Sequence, residues 1–129
     1  MTRQYKKNAF TLLEVMAALA VSAIALTAFL NLQLGTIALC NKAEIIMQAT
    51  QLAQSKIAET RARGFVPPET NSGIYKHQGQ TLNWQVTVSD TPETRHTGIR
   101  NISVIISWNS GMGRRSLVME STLINRALP

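Results

Sequence analysis

Acidic residues are scarce in this 129-residue chain: seven Asp and Glu stand against thirteen Lys and Arg, for a formal charge of +6. Histidine is scarcer still. His77 and His96 sit in polar stretches without a second donor at metal-ligand spacing, so both read as surface residues rather than metal ligands. Asp90 and Glu93 bring too few oxygens for a calcium loop, and no carboxylates are paired for acid–base work. The seven glycines form neither a phosphate-cradling loop nor a nucleophile elbow. One cysteine, Cys40, excludes an internal disulfide. Aromatic residues make up only 5% of the chain and are not interleaved with basic ones, which weighs against stacking on nucleic-acid bases. There is no internal repeat. The sequence therefore reads as non-enzymatic, with no cofactor and no metal.

What is present begins at the amino terminus. From Phe10 to Leu30 the one ionisable side chain is Glu14. About 21 residues at 1.5 Å per residue give roughly 31 Å of helix, enough to cross the hydrocarbon of a bilayer. An unpaired carboxylate in that region costs a few kcal/mol, so Glu14 calls for a partner. A secretory signal would be shorter and would end in an A-x-A-like site. A lipidation site at Cys40 would need a small residue where the chain has Leu39. Arg3, Lys6 and Lys7 precede the apolar run, and the positive-inside rule keeps that end cytoplasmic. These three side chains supply half the net charge, so the chain without them carries about +3 and its basicity overstates any affinity for nucleic acid.

The run Lys6-Lys7-Asn8-Ala9-Phe10-Thr11-Leu12-Leu13-Glu14-Val15-Met16 resembles the cleavage and methylation signal of type IV prepilins and pseudopilins. The resemblance implies that a membrane-embedded prepilin peptidase cuts between Ala9 and Phe10 and methylates the new amino terminus at Phe10. Ala9 stands where the family usually has Gly, which implies slower processing. Glu14 then becomes the fifth residue of the mature chain, facing the terminal amine of a neighbouring subunit during assembly.

Beyond the apolar run, Leu39, Ala43, Ile46, Ala49, Ala53 and Ile57 recur at three- and four-residue spacing with Lys42, Gln48, Gln51, Lys56 and Glu59 between them. The helix is expected from about Thr11 to Arg63, with any break near Asn31 to Gly35. Gly64 can cap it, and Pro67-Pro68 stops it. Residues 66–80 read as a loop with at most a short extended piece at Ile74-Tyr75. Trp84, Val86 and Val88 form one face of a strand; Ile102, Val104, Ile106 and Trp108 form that of a second. After a turn at 109–113, Leu117, Met119, Ser121 and Leu123 mark a third. The fold class is α+β: a long amino-terminal helix, half transmembrane and half amphipathic, packed on a small antiparallel sheet. The expected organisation is leader 1–9, transmembrane helix 10–34, outer helix 35–64 and sheet domain 65–129. On the helical wheel Ile45, Ala49 and Leu52 are spare and are expected to meet a partner subunit. Arg61, Arg63, Arg114 and Arg115 could form a basic patch, with Arg114-Arg115 at a turn.

The stretches Gln51–Glu59, Trp84–Val88 and Ile102–Trp108 further resemble the I-type minor pseudopilin of type II secretion. That resemblance implies a non-enzymatic tip subunit of the pseudopilus, partnered by J- and K-type minor pseudopilins and the major pseudopilin. It also implies a single inner-membrane span with the carboxy-terminal domain in the periplasm of a Gram-negative bacterium. Cys40 alone separates the chain from major pilins that close a loop with a cysteine pair. The V-type minor pilin of the type IV pilus shares signal and architecture and stays open as an alternative, as does a DNA-contacting competence pilin through Arg114-Arg115.

Overall fold

Thr11 starts the first element for a local reason. Its hydroxyl accepts a hydrogen bond from the Glu14 amide at 3.3 Å, and its carbonyl accepts from Glu14 and Val15 at 3.0 and 3.2 Å. A Thr-x-x-Glu opening of this kind satisfies amides that a helix start leaves free. The computed structural model describes residues 11–93 and 98–126, and the chain forms two compact units, Met1–Asn41 and Lys42–Pro129. Helix α1 runs uninterrupted over Leu12–Ala62, with Gly35 inside it, so the polar residues at 31–35 bring no break. Gly64 adopts the left-handed conformation at φ 84° and its amide bonds the Arg61 carbonyl at 3.1 Å. Pro67-Pro68 then forbids any further turn.

Four antiparallel strands follow in simple meander order: β1 (Glu69–His77), β2 (Gln80–Ser89), β3 (Ile99–Ser110) and β4 (Gly113–Ile124). The registers are continuous, with Trp84 opposite Gly73 and Ile106, and Ile106 opposite Leu117. The sequence pattern predicts three strands and, over residues 66–80, a loop with at most a short extended piece at Ile74-Tyr75; the structure corrects this with β1. Its face carries no apolar alternation because it is an exposed edge strand, buried nowhere along its length. Its turn is also disguised: Gln78 and Gly79 both take positive φ, 47° and 79°, where Asn-Gly would have announced a hairpin.

The core lies in the second unit, between residues 45–60 of α1 and one face of the sheet. Leu82, Ile102, Val104 and Ile106 are its largest wholly enclosed side chains, joined by Val86, Val88, Trp108 and Leu123. From the helix come Ala49, Ala53 and Ile57, with Ile45 and Leu52 partly buried against them. Alanine at the closest positions lets the helix backbone approach the sheet, where each enclosed Leu or Ile contributes about 1.5–3 kcal/mol. Thr60, a buried polar helix residue in this interface, returns its hydroxyl to the Lys56 carbonyl at 2.9 Å. The expected stripe is therefore shorter than its periodicity: Leu39, Ala43 and Ile46 remain exposed.

Two clusters pin the rim. Trp84 lies half-buried, its indole across Gly73 and under the Lys56 ammonium, 4.0 Å from the ring centroid. Arg100 sits where three segments meet: Nε on Asp90 Oδ1 at 2.7 Å, a guanidinium nitrogen on the Val66 carbonyl, and the plane over Phe65 at 4.1 Å.

Candidate functional site

The first unit is a helix of an unusual kind. Leu12, Leu13, Leu19, Val21, Ile24, Leu26, Phe29 and Leu30 are all more than half exposed, so its apolar surface finds no cover within the chain. A helix apolar on every side belongs in lipid or among other such helices. By length and composition it can cross a membrane. Its hydroxyl groups are adapted to that setting: Ser22, Thr27 and Thr36 each donate to the carbonyl four residues earlier, at 2.8, 2.8 and 3.0 Å. Such back-bonding removes the cost of a bare hydroxyl in hydrocarbon.

Glu14 is the exception. Among the described residues its carboxylate has no ion pair, although its amide is capped by Thr11. The helix thus presents one unneutralised anion within the first turn, surrounded by leucine and valine. An ammonium group is the species that would offset it. Ala9 and Phe10, the expected cleavage pair, lie outside the described residues, as does His96.

That arrangement, an apolar helix opening on Thr-Leu-Leu-Glu behind a basic segment, has a counterpart among known families. Residues 5–30 match the prokaryotic N-terminal methylation motif. The match covers less than half of the chain and supports a protein of the type IV pilin-like class; the motif implies processing by prepilin peptidase and assembly with other pilins, and pilin-like proteins that carry it are structural subunits. The long helix packed on a four-stranded antiparallel sheet is a pilin-like α+β fold. No curated protein and no solved structure matches the chain.

The other expected sites are placed differently from their reading. Ile45, Ala49 and Leu52, taken as spare for a partner, face the chain's own sheet: Ala49 has no exposed surface, and Ile45 and Leu52 pack against the core. The wheel does not separate them because the sheet-facing stripe of residues 45–60 is wide enough to include both the Ala49-Ala53-Ile57 row and the row beside it. The basic residues do not gather. Arg61 donates to the Ser121 hydroxyl, Arg63 pairs with Glu69 at 2.7 Å, and Arg114 donates to the Ser107 hydroxyl at 3.1 Å. Arg114 and Arg115 belong to strand β4 rather than a turn, and as successive strand residues they point to opposite faces. His77 stacks on Tyr75 with ring centroids 6.2 Å apart, and Asp90 is held by Arg100. No group of three His, Cys, Asp or Glu residues is assembled for a metal among the described residues. Sequence reasoning missed Arg100, whose role depends on contacts far apart in the chain. The Thr11 cap was also missed, although its Thr-x-x-Glu spacing was there to find.

Proposed function

We propose that this chain is a minor pseudopilin of the type II secretion system, a non-enzymatic subunit of the pseudopilus tip complex. The tip complex starts pseudopilus assembly for export of folded proteins across the outer membrane. The observation that carries the reading is Glu14: one uncompensated carboxylate at the head of an apolar helix, inside a methylation motif that spans residues 5–30. Cleavage after Ala9 makes it the fifth residue of the mature chain, and the methylated amine of Phe10 on a neighbouring subunit is the cation it meets. Anchored by the helix, residues 42–129 face the periplasm, where their small sheet domain without a cysteine pair contacts J- and K-type minor pseudopilins and the major pseudopilin.

The V-type minor pilin of the type IV pilus uses the same signal and anchor. Affinity capture of the full chain from membranes tests the choice. Recovery of secretion pseudopilins supports the proposal; recovery of pilus-priming minor pilins replaces it with the second reading. Recovery of no pilin-like protein removes both.

A further inference from the structure

The sheet ends in two open edges, and their backbone groups are arranged to meet. Only two residues separate His77 from Gln80 and Ser110 from Gly113, so each of these turn-closing pairs exchanges both backbone hydrogen bonds. Bonding to β2 and β3 therefore falls on the odd-numbered residues of β1 and β4. The even-numbered residues, Thr70 to Lys76 on one edge and Arg114 to Ile124 on the other, turn their amides and carbonyls outward. No backbone partner takes them up among the described residues. On both edges these even residues share the face of the sheet away from the helix.

Strand direction completes the match. In the order β1-β2-β3-β4 with every neighbour antiparallel, β4 runs opposite to β1. A second copy placed beside the first without inversion thus brings its β4 antiparallel to β1, with the helix-covered faces on the same side. The outer helix segments, residues 42–62, then run parallel, as two copies anchored in one membrane require. Pairing β4 with β4, by contrast, would turn one copy upside down.

Composition selects a register. Each edge carries one large exposed aliphatic residue at mid-strand on the open face, Ile74 (64% exposed) and Val118 (55%). Placing Ile74 opposite Val118 also sets Tyr75 opposite Leu117 on the helix-covered face, and all nine residues of β1 find partners in β4. It puts no like charges opposite each other. His77 falls opposite Arg115, beside a groove of about 320 Å³ between α1 and β1 lined by Gln48, Gln51, Leu52, Ser55, Tyr75 and His77. That groove holds an unmet demand: Gln48 Oε1 is shielded from water and has no hydrogen-bond donor, while Gln48 Nε2 leans on Glu44 at 3.5 Å. A buried acceptor of this kind is destabilising until a donor reaches it. The Arg115 guanidinium of an incoming copy carries such donors for a Gln48 amide that turns toward the groove, and its charge complements the exposed carboxylate of Glu44.

We infer that β4 of one copy of this chain adds head-to-tail to β1 of a second copy, Ile74 opposite Val118, with Arg115 entering the Gln48 groove. Edges this long and unprotected by proline or bulge are otherwise a liability, and strand addition is a common use of them. The inference is independent of the machine proposed above: a subunit that meets only unlike neighbours at a tip would leave that proposal standing and overturn this one.

Cysteine cross-linking of the full chain in membranes decides it, in a Cys40→Ser background. Tyr75 and Leu117 form a pair without mutual backbone bonds, the closer kind, at a separation a disulfide spans. A mixture of Tyr75→Cys and Leu117→Cys chains should give a dimer under mild oxidation, each alone should stay monomeric, and the double variant should give a ladder because head-to-tail addition does not close. Val118→Pro removes an outward amide from an edge strand, a place where proline is tolerated in the fold, and should abolish the ladder. Arg115→Glu should weaken it several-fold, and Glu44→Arg in the same chain should restore it; both residues are exposed, so neither change disturbs the core. Cross-linking by either single variant alone, no dimer from the mixture, or capture only by other pilin-like proteins would each overturn the inference.

Discussion

Arg100 does alone what a bound cation does in many loops: it neutralises a carboxylate and donates to the carbonyl of a distant segment, here Asp90 and Val66. With only 18% of its side chain exposed, its loss leaves Asp90 without its ion-pair partner. Arg100→Ala should lower stability by about 1.5–3 kcal/mol, the range for hydrogen bonds to charged groups. Urea unfolding of the detergent-solubilised chain, followed through the fluorescence of Trp84 and Trp108, reads that loss. A midpoint equal to the parent's would show that the contact with Phe65 and Val66 is incidental. Gly73 is a second residue with a single reason for its identity. A Cβ there would come within 2.6 Å of the Trp84 ring, and the ring is itself held between Gly73 and Lys56. Gly73→Ala should therefore cost about 1–3 kcal/mol by overpacking and shift tryptophan emission to the red as Trp84 is displaced into water. Neither residue was legible in the sequence, because each depends on partners distant in the chain: Trp84 of β2 for Gly73, and the connecting segments that hold Phe65, Val66 and Asp90 for Arg100.

At the scale of elements, legibility followed burial. The helix and strands β2 to β4 announced themselves through period: Leu82 to Val88, Ile102 to Trp108 and Leu117 to Leu123 keep one face against the helix. Strand β1 did not, since an edge exposed on both faces needs no apolar alternation. The same logic explains the misplaced contact surface on α1. A helical wheel shows which residues share a face but not how much of that face the sheet covers, and Ala49 lies at the centre of the covered part. Core substitutions separate the two classes of residue. Ile106→Ala, at a site with no exposed surface, should cost about 2–5 kcal/mol in the same urea experiment. Ile46→Ala, on the uncovered side of the helix, should stay within about 0.5 kcal/mol. Equal costs at both positions would mean that the sheet reaches farther around the helix than the burial of Ala49, Ala53 and Ile57 indicates.

For the whole molecule the deciding question is what neutralises Glu14. All core residues lie at or beyond Ala49, so the carboxylate has no part in holding the sheet. Its amide is served by Thr11 whether or not the side chain is charged. Removing the charge should make insertion into the membrane easier by up to a few kcal/mol, since the unpaired anion is the costly group there. The effect of Glu14→Ala must then appear elsewhere, in the association of one chain with the next, where a buried ion pair broken on one side costs about 3–5 kcal/mol. Three measurements on membranes carry the argument together. Intact mass should show an amino terminus at N-methylated Phe10 in parent and variant alike, because the cut proposed after Ala9 precedes the carboxylate. The urea midpoint should be unchanged. Co-purification of other pilin-like subunits should fall by at least two orders of magnitude, the factor that 3 kcal/mol implies. Retention of Met1, or undiminished co-purification in a correctly processed variant, would remove the terminal amine as the partner of Glu14. The ion pair across subunits would then no longer explain why this apolar helix keeps a glutamate in its first turn.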